Sequence, residues 1–162
     1  RLLTYDEKSA GGIMTTEPVI LSHDATVAEA LARIRNEELP TSLAAQVYVT
    51  RSPLETPTGH FLGVVHFQRL LREQPGTLVS SLVDTDLESV DPEAPLDEVV
   101  RHFARYNLVG LPVVDNNDHL LGVVTVDDVV DNMLPEDWRE SHPASSDTDL
   151  ISNRQAGEGD GN

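Results

Sequence analysis

The apolar residues of the chain keep two rhythms, and each rhythm occurs twice. Val27, Ala30, Leu31 and Ile34 stand at i, i+3, i+4 and i+7, one face of a helix opening at Thr26. Sixty-nine residues on, Leu96, Val99, Val100 and Phe103 fill the same four places. A short β-prone piece precedes each helix, Pro18-Val19-Ile20-Leu21 and Leu87-Glu88-Ser89-Val90. An acidic turn follows each piece, His23-Asp24-Ala25 and Pro92-Glu93-Ala94. Further on, Phe61-Leu62-Gly63-Val64-Val65 matches Leu120-Leu121-Gly122-Val123-Val124, and Phe67, Leu70 and Leu71 match Val126, Val129 and Val130. The offset falls to 59 because the first unit is longer over residues 35–46 and in the Pro-rich loop 51–59, which is too rich in proline to be a regular element. The pattern predicts two tandem β-α-β-β-α units of about 60 residues, an α+β fold. Neither unit is large enough to bury its sheet and its helix stripes alone, so the two are expected to pack on each other.

Residues 110–131 hold the densest information. Val113 and Val114 follow Pro112, which is expected to start a strand or lie at an edge. Asp115-Asn116-Asn117-Asp118 is turn chemistry, Leu120 to Val124 reads as a buried strand, and Thr125 opens a helix. That helix has Val126, Val129 and Val130 as its apolar residues and Asp127, Asp128 and Asp131 on its polar face. From Asp115 to Glu140 there are eight acids against one base, Arg139. Before the first unit lies a lead-in, Leu2-Leu3-Thr4-Tyr5 and then Ser9-Ala10-Gly11-Gly12-Ile13-Met14-Thr15. Residues 141–162 have almost no apolar content and read as disordered.

Composition narrows the function. The net charge of −17 argues against nucleic acid as a partner and makes cations plausible ones. No apolar run approaches the length of a membrane span, and no signal-peptide pattern is visible. With no cysteine there are no disulfides or thiolate metal sites. The six histidines, His23, His60, His66, His102, His119 and His142, include no i, i+4 pair on one helix, so a zincin-type site is unsupported. No Ser-His-Asp order and no Gly-rich phosphate loop emerges, and no enzyme activity is expected. The chain opens on Arg1 rather than Met and reads as a piece of a longer protein.

Two β-α-β-β-α units carrying Gly110-Leu111-Pro112-Val113-Val114-Asp115 and Leu121-Gly122-Val123-Val124-Thr125 with Asp128 resemble the CBS domain pair, or Bateman module. The lead-in, a Leu-x-Tyr stretch followed by Ser9-Ala10-Gly11-Gly12-Ile13-Met14-Thr15, is similar to that of the MgtE family of magnesium transporters. The resemblance implies a lead-in over residues 1–11, CBS repeats over 12–76 and 77–134, and an acidic tail over 135–162. It implies a cytoplasmic regulatory module that forms a homodimer. This module would follow an N-terminal helical domain of the same protein, not enter the membrane itself, and bind Mg²⁺ when Mg²⁺ is plentiful. Crowded carboxylates repel one another, and a hard dication relieves that repulsion. Asp127, Asp128, Asp131, Glu136 and Asp137 align with the family's acidic helix end and are its expected Mg²⁺ residues, Asp128, Asp131 and Glu136 foremost. The polar tail after Leu134 departs from a transporter, which continues into membrane spans. It reads as a natural end of a soluble homologue, a reading that touches the transport role and not the sensing role. Trp138 reads as an anchor on a partner.

The same resemblance implies a second ligand class. CBS pairs bind ATP or AMP with a Gly-x-Pro-Val strand and a Thr-x-x-Asp motif whose Asp accepts from ribose hydroxyls. Repeat two has both, in Gly110, Leu111, Pro112 and Val113 and in Thr125 and Asp128. Repeat one has His66-Phe67-Gln68-Arg69 at the motif position, so at most one good site is expected, with Arg101, Arg105 and Arg69 available to offset the local acidity. Thr125-x-x-Asp128 is equally a capping box, as Thr26-x-x-Glu29 is. An adenosine-nucleotide sensor and a purely structural dimerisation domain are therefore the alternatives to a Mg²⁺ sensor.

Overall fold

A computed structural model describes residues 5–106 and 108–133 of the chain. Glu136, Asp137, Trp138 and the tail lie outside the described residues. The chain divides into two units, residues 1–130 and residues 131–162. Of the second unit, Asp131 to Met133, the last turn of a helix, are described.

Repeat one runs β1 (Ile20–Ser22), α2 (Val27–Ile34), α3 (Thr41–Ala44), β2 (Gln46–Thr50), β3 (Phe61–His66) and α4 (Phe67–Arg72), after a lead-in helical turn α1 (Ala10–Ile13). Repeat two runs α5 (Leu96–Tyr106), β4 (Gly110–Val114), β5 (Leu120–Thr125) and α6 (Val126–Met133). β1 pairs parallel to β2 and β2 antiparallel to β3, while β4 pairs antiparallel to β5. The expected first strand of repeat two shrinks to a single parallel bridge between Val90 and Val113. Its residues alternate charge and hydroxyl with one β-branched side chain, and Asp91-Pro92 ends it. Pro112 does not start its strand but lies in the middle of β4, an edge strand of a two-stranded sheet as expected, where its carbonyl accepts from Val90 N–H at 3.0 Å. Its missing N–H falls on the side where only that one bridge is made, so no ladder is lost.

The local signals behave as their chemistry dictates. Thr26 Oγ1 accepts from Glu29 N–H at 3.3 Å and caps α2. Asp115 Oδ1 accepts from the N–H groups of Asn117 and His119 at 2.9 and 3.0 Å, and Asp118 takes the left-handed conformation with φ 63°. Within residues 35–46 the chain makes one helical turn, α3, where the sequence suggests only a longer loop. The Pro-rich loop is irregular, but its end is anchored in repeat two. Buried Thr58 exchanges backbone and side-chain hydrogen bonds with Leu120, and His119 Nδ1 meets the Thr58 carbonyl.

Each repeat is completed by a segment from elsewhere. Ala10 N–H donates to Ala94 O and Leu96 N–H to Lys8 O, both at 2.8 Å. In the same way, Val79 N–H donates to Ala25 O and Val27 N–H to Thr77 O, both at 2.9 Å. The lead-in thus closes repeat two, and residues 77–84 close repeat one, at the same offset of 69 that relates the helices. Ala10 and Ile13 sit in the core with Val99, Leu111 and Val113. Val79 and Leu82 sit in the other core with Val27, Val47 and Leu70. A third cluster, with Ile20, Tyr48, Val64, Leu120 and Val123, joins the two repeats. Burial of side chains of this size stabilises by about 1.5–3 kcal/mol each.

The helix stripes are less buried than the periodicity predicts. Leu70 and Val129 are buried, but Phe67 (37 % exposed), Leu71 (58 %), Val126 (46 %) and Val130 (47 %) face out.

Candidate functional site

A cavity of about 430 Å³ opens between the repeats. Repeat two supplies Gly110 and Pro112 from β4 and the apolar Leu87 and Leu108. Repeat one supplies Gln46 from the start of β2 and His66 from the end of β3. Asp84, Asp86 and Glu88, at alternate positions of the segment leading into repeat two, add three carboxylates. Glu88 Oε2 also lies 3.3 Å from His102 Nδ1.

The floor is set by packing. Gln46 is buried, and its Nε2 donates to Tyr48 Oη at 2.7 Å. Tyr48, fully inside the third core cluster, reaches across to β4. A Cβ added at Gly110 would stand 2.6 Å from Tyr48 Oη and 3.1 Å from Val123 Cγ1. Glycine at 110 is thus a matter of close approach, and it keeps the mouth of the cavity open where the matching strand of repeat one carries Gln46.

Burial raises the Tyr48 hydroxyl well above its ordinary pKa, because an isolated phenolate is poorly solvated there; the hydrogen bond with Gln46 opposes the shift. The folded state thus prefers the protonated phenol. Its contribution is complete below the unfolded tyrosine value of 10.0 and is lost as pH rises above it. Urea unfolding midpoints followed from neutral pH into the alkaline range should fall above about pH 10, and Tyr48→Phe should flatten that fall.

Of the residues expected to form one nucleotide site, Gly110 and Thr125 are partners across β4 and β5. Gly110 and Pro112 line the cavity, while Leu111 and Val113 point into the core of repeat two and are fully buried. Thr125 and Asp128 do not line it; the motif position that does is His66, from the repeat that lacks the motif.

Thr125 and Asp128 instead form a complete capping box at the start of α6. Thr125 N–H donates to Asp128 Oδ2 at 2.9 Å, and Asp128 N–H donates to Thr125 Oγ1 at 3.3 Å. The same Oδ2 accepts from Thr125 Oγ1 at 3.0 Å and from Thr15 Oγ1 at 3.2 Å, tying the lead-in to the helix. Asp128→Ala should therefore cost about 1–2 kcal/mol in chemical unfolding, against less than about 0.5 for exposed Asp127→Ala.

Among the described residues the expected Mg²⁺ residues form no cage. Asp127 and Asp131 are exposed, Asp128 is occupied as above, and among the described residues no three His, Asp or Glu side chains are grouped to hold a metal ion. Arg101 and Arg105 are exposed on α5 and do not line the cavity, and Arg69 pairs with Glu73 at 3.2 Å. Among the described residues the only basic side chain in the lining is His66. Sequence reasoning missed Gln46, Tyr48, Asp84, Asp86 and Glu88. The one available signal was register, since Gln46 opens the strand that corresponds to the one opened by Gly110.

The CBS domain model matches residues 10–76 and 79–135. This chain belongs to the CBS domain family. Its CBS pair is similar to those of the MgtE magnesium transporters. It is 33 % identical over 141 residues to magnesium transporter MgtE of Thermus thermophilus, covering 87 % of the chain and 30 % of that protein. It is 32 % identical over 130 residues to magnesium transporter MgtE of Enterococcus faecalis, covering 80 % of the chain and 28 % of that protein. The solved cytosolic domain of the Mg²⁺ channel MgtE in complex with ATP superposes with a TM-score of 0.69 at 34 % identity, over 80 % of this chain and half of that one. The chain thus spans less than a third of the curated relatives it matches. Among the described residues no helix is long and apolar enough to cross a membrane.

Proposed function

We propose that this CBS pair is the cytosolic regulatory module of an MgtE-type magnesium transporter or of a soluble homologue, and that it senses Mg²⁺ rather than catalysing a reaction. The observation that carries the reading is the match to MgtE proteins along 87 % of the chain. In support, the chain carries a net charge of −17, with Asp127, Asp128 and Asp131 on one short helix. Because Mg²⁺ keeps most of its water and takes one or two carboxylates at a time, loose acidic faces suffice for it. Asp127 is the better first contact, since Asp128 already serves the cap; Glu136 and Asp137 extend the same acidic run in the sequence.

The module acts as a homodimer. Phe67 and Leu71 on α4 and Val126 and Val130 on α6 repeat an apolar pattern that the single chain leaves exposed, and a second copy would cover it. Mg²⁺ then favours the subunit arrangement in which acidic faces approach, by as much as its affinity differs between arrangements. Sedimentation velocity at fixed ionic strength should give a dimer whose sedimentation coefficient changes with millimolar MgCl₂. Phe67→Glu and Val130→Glu should each yield a folded monomer. A dimer unaffected by both substitutions, or a monomer at all Mg²⁺ levels, removes this reading.

A second reading, adenosine-nucleotide binding, is favoured by one specific observation. The cavity between the repeats is large enough for a nucleoside, and an ATP complex is known for a similar MgtE cytosolic domain.

A further inference from the structure

We infer that His60 and His119 form a site for a borderline transition-metal dication, of the Zn²⁺ or Ni²⁺ kind, that pins the end of the Pro-rich loop to repeat two. The two residues are partners in an antiparallel bridge between the repeats. Beside the pair, Phe61 N–H donates to Asp118 O at 2.7 Å. The carbonyls of the two histidines are used elsewhere, accepting from Arg51 and Asp115 N–H at 2.9 and 3.1 Å. The pair therefore occupies a narrow, non-hydrogen-bonded position of the ladder. At such a position the Cα atoms are about 4.5 Å apart and both side chains leave the same face. Two imidazoles so placed can share one cation.

The nitrogens left over suit a metal. His119 Nδ1 meets the carbonyl of buried Thr58, and a carbonyl only accepts, so Nδ1 carries the proton of the neutral ring and Nε2 keeps its lone pair. A backbone carbonyl on the far nitrogen is the support that metal-bound imidazoles ordinarily have. His60 is exposed, and its ring has no hydrogen bond or ion pair among the described residues, so it is free to turn toward its partner. Asp115 and Asp118, in the turn just before His119, add negative charge that favours a cation. Imidazole selects Zn²⁺, Ni²⁺ or Cu²⁺, whereas Mg²⁺ takes oxygen ligands, so this site is distinct from the acidic faces proposed for Mg²⁺. Two protein ligands leave the remaining positions to water. Each repeat supplies one ligand, so occupancy favours the docked loop.

The test is calorimetric titration of the tag-free whole chain with ZnCl₂ at about pH 7.5, where imidazole is neutral, in a fixed excess of MgCl₂ that occupies carboxylate sites. One saturable site is expected. His60→Gln, at an exposed position, should weaken it at least about tenfold, while His66→Gln, in the cavity, should leave it unchanged. At about pH 5.5, where both rings are charged, the binding should be lost. Zn²⁺ should also raise the urea midpoint of the unsubstituted chain and not that of His60→Gln, the two being equal in EDTA. No saturable Zn²⁺ binding, or binding and stabilisation that survive His60→Gln, overturns the inference. A loss on His66→Gln as large as on His60→Gln would place the ion elsewhere and overturn it too.

Discussion

Replacing Gly63 by alanine is expected to lower the unfolding free energy by about 2–5 kcal/mol, one of the largest losses available to a single methyl group in this chain. Gly63 lies in β3 with φ 151°, a conformation that L side chains rarely adopt. A Cβ there would stand 2.6 Å from the Asp84 carbonyl oxygen and 3.2 Å from Val83 Cβ. Asp84 cannot retreat cheaply, because its N–H donates to Val64 O at 2.9 Å and its carbonyl accepts from Val64 N–H. The glycine is the place where residues 77–84 dock onto repeat one. Gly122 has the same task for the lead-in: a Cβ there would stand 2.7 Å from Thr15 O, and Thr15 and Val123 exchange both backbone bonds. Gly122→Ala should cost less, since φ there is not positive and the other close atom, Met14 Sδ, belongs to a flexible side chain. Urea unfolding of the two variants checks the order. A neutral Gly63→Ala would mean that the crossing segment is not docked in solution.

Leu70→Ala should cost about 2–5 kcal/mol, and Leu71→Ala, one residue on, should leave the chain's own stability within about 0.5 kcal/mol. Leu70 is fully buried among Val27, Val47 and Val79, so truncation leaves a cavity lined by β-branched side chains with little freedom to collapse. Leu71 is 58 % exposed on α4. Its loss should instead appear as a higher dissociation constant for the proposed dimer, so the two leucines separate folding from assembly. The pair is read by urea unfolding at a protein concentration below that at which the dimer forms, together with sedimentation equilibrium. Equal unfolding losses at both positions would place Leu71 in the core and contradict its assignment to the dimer surface.

How much of the fold is legible in the sequence depends on the range of the interaction. Short-range chemistry is legible. The i, i+3, i+4, i+7 stripes mark α2 and α5, Asp115 to Asp118 marks a turn, and Thr26 and Thr125 mark helix starts. The crossing of residues 8–15 and 77–84 is not, because the longest of its bonds span some 80 to 110 residues and rest on backbone groups and on the absence of side chains at Gly63 and Gly122. Its trace is present as apolar Ala10 and Ile13 standing 69 residues before Val79 and Leu82. The exposure of Val126 and Phe67 is not legible either, since periodicity tells that a face is apolar and not what covers it. The cavity shows the same limit: Gly110 and Thr125 are partners across β4 and β5, yet Gly110 and Pro112 line a cavity shared with His66 while Thr125 and Asp128 form a capping box.

Asp128 ties the lead-in to α6 by accepting from Thr15 Oγ1. The cavity rim, with Asp84, belongs to the other crossing segment, which docks on Gly63.

The most direct test of the Mg²⁺-sensing account is calorimetric titration of the chain with MgCl₂ at constant ionic strength, with NaCl and CaCl₂ run as controls. The account predicts saturable millimolar binding that neither control reproduces and that weakens on Asp127→Asn. Heats indistinguishable from those of NaCl, unchanged by that substitution, would contradict it.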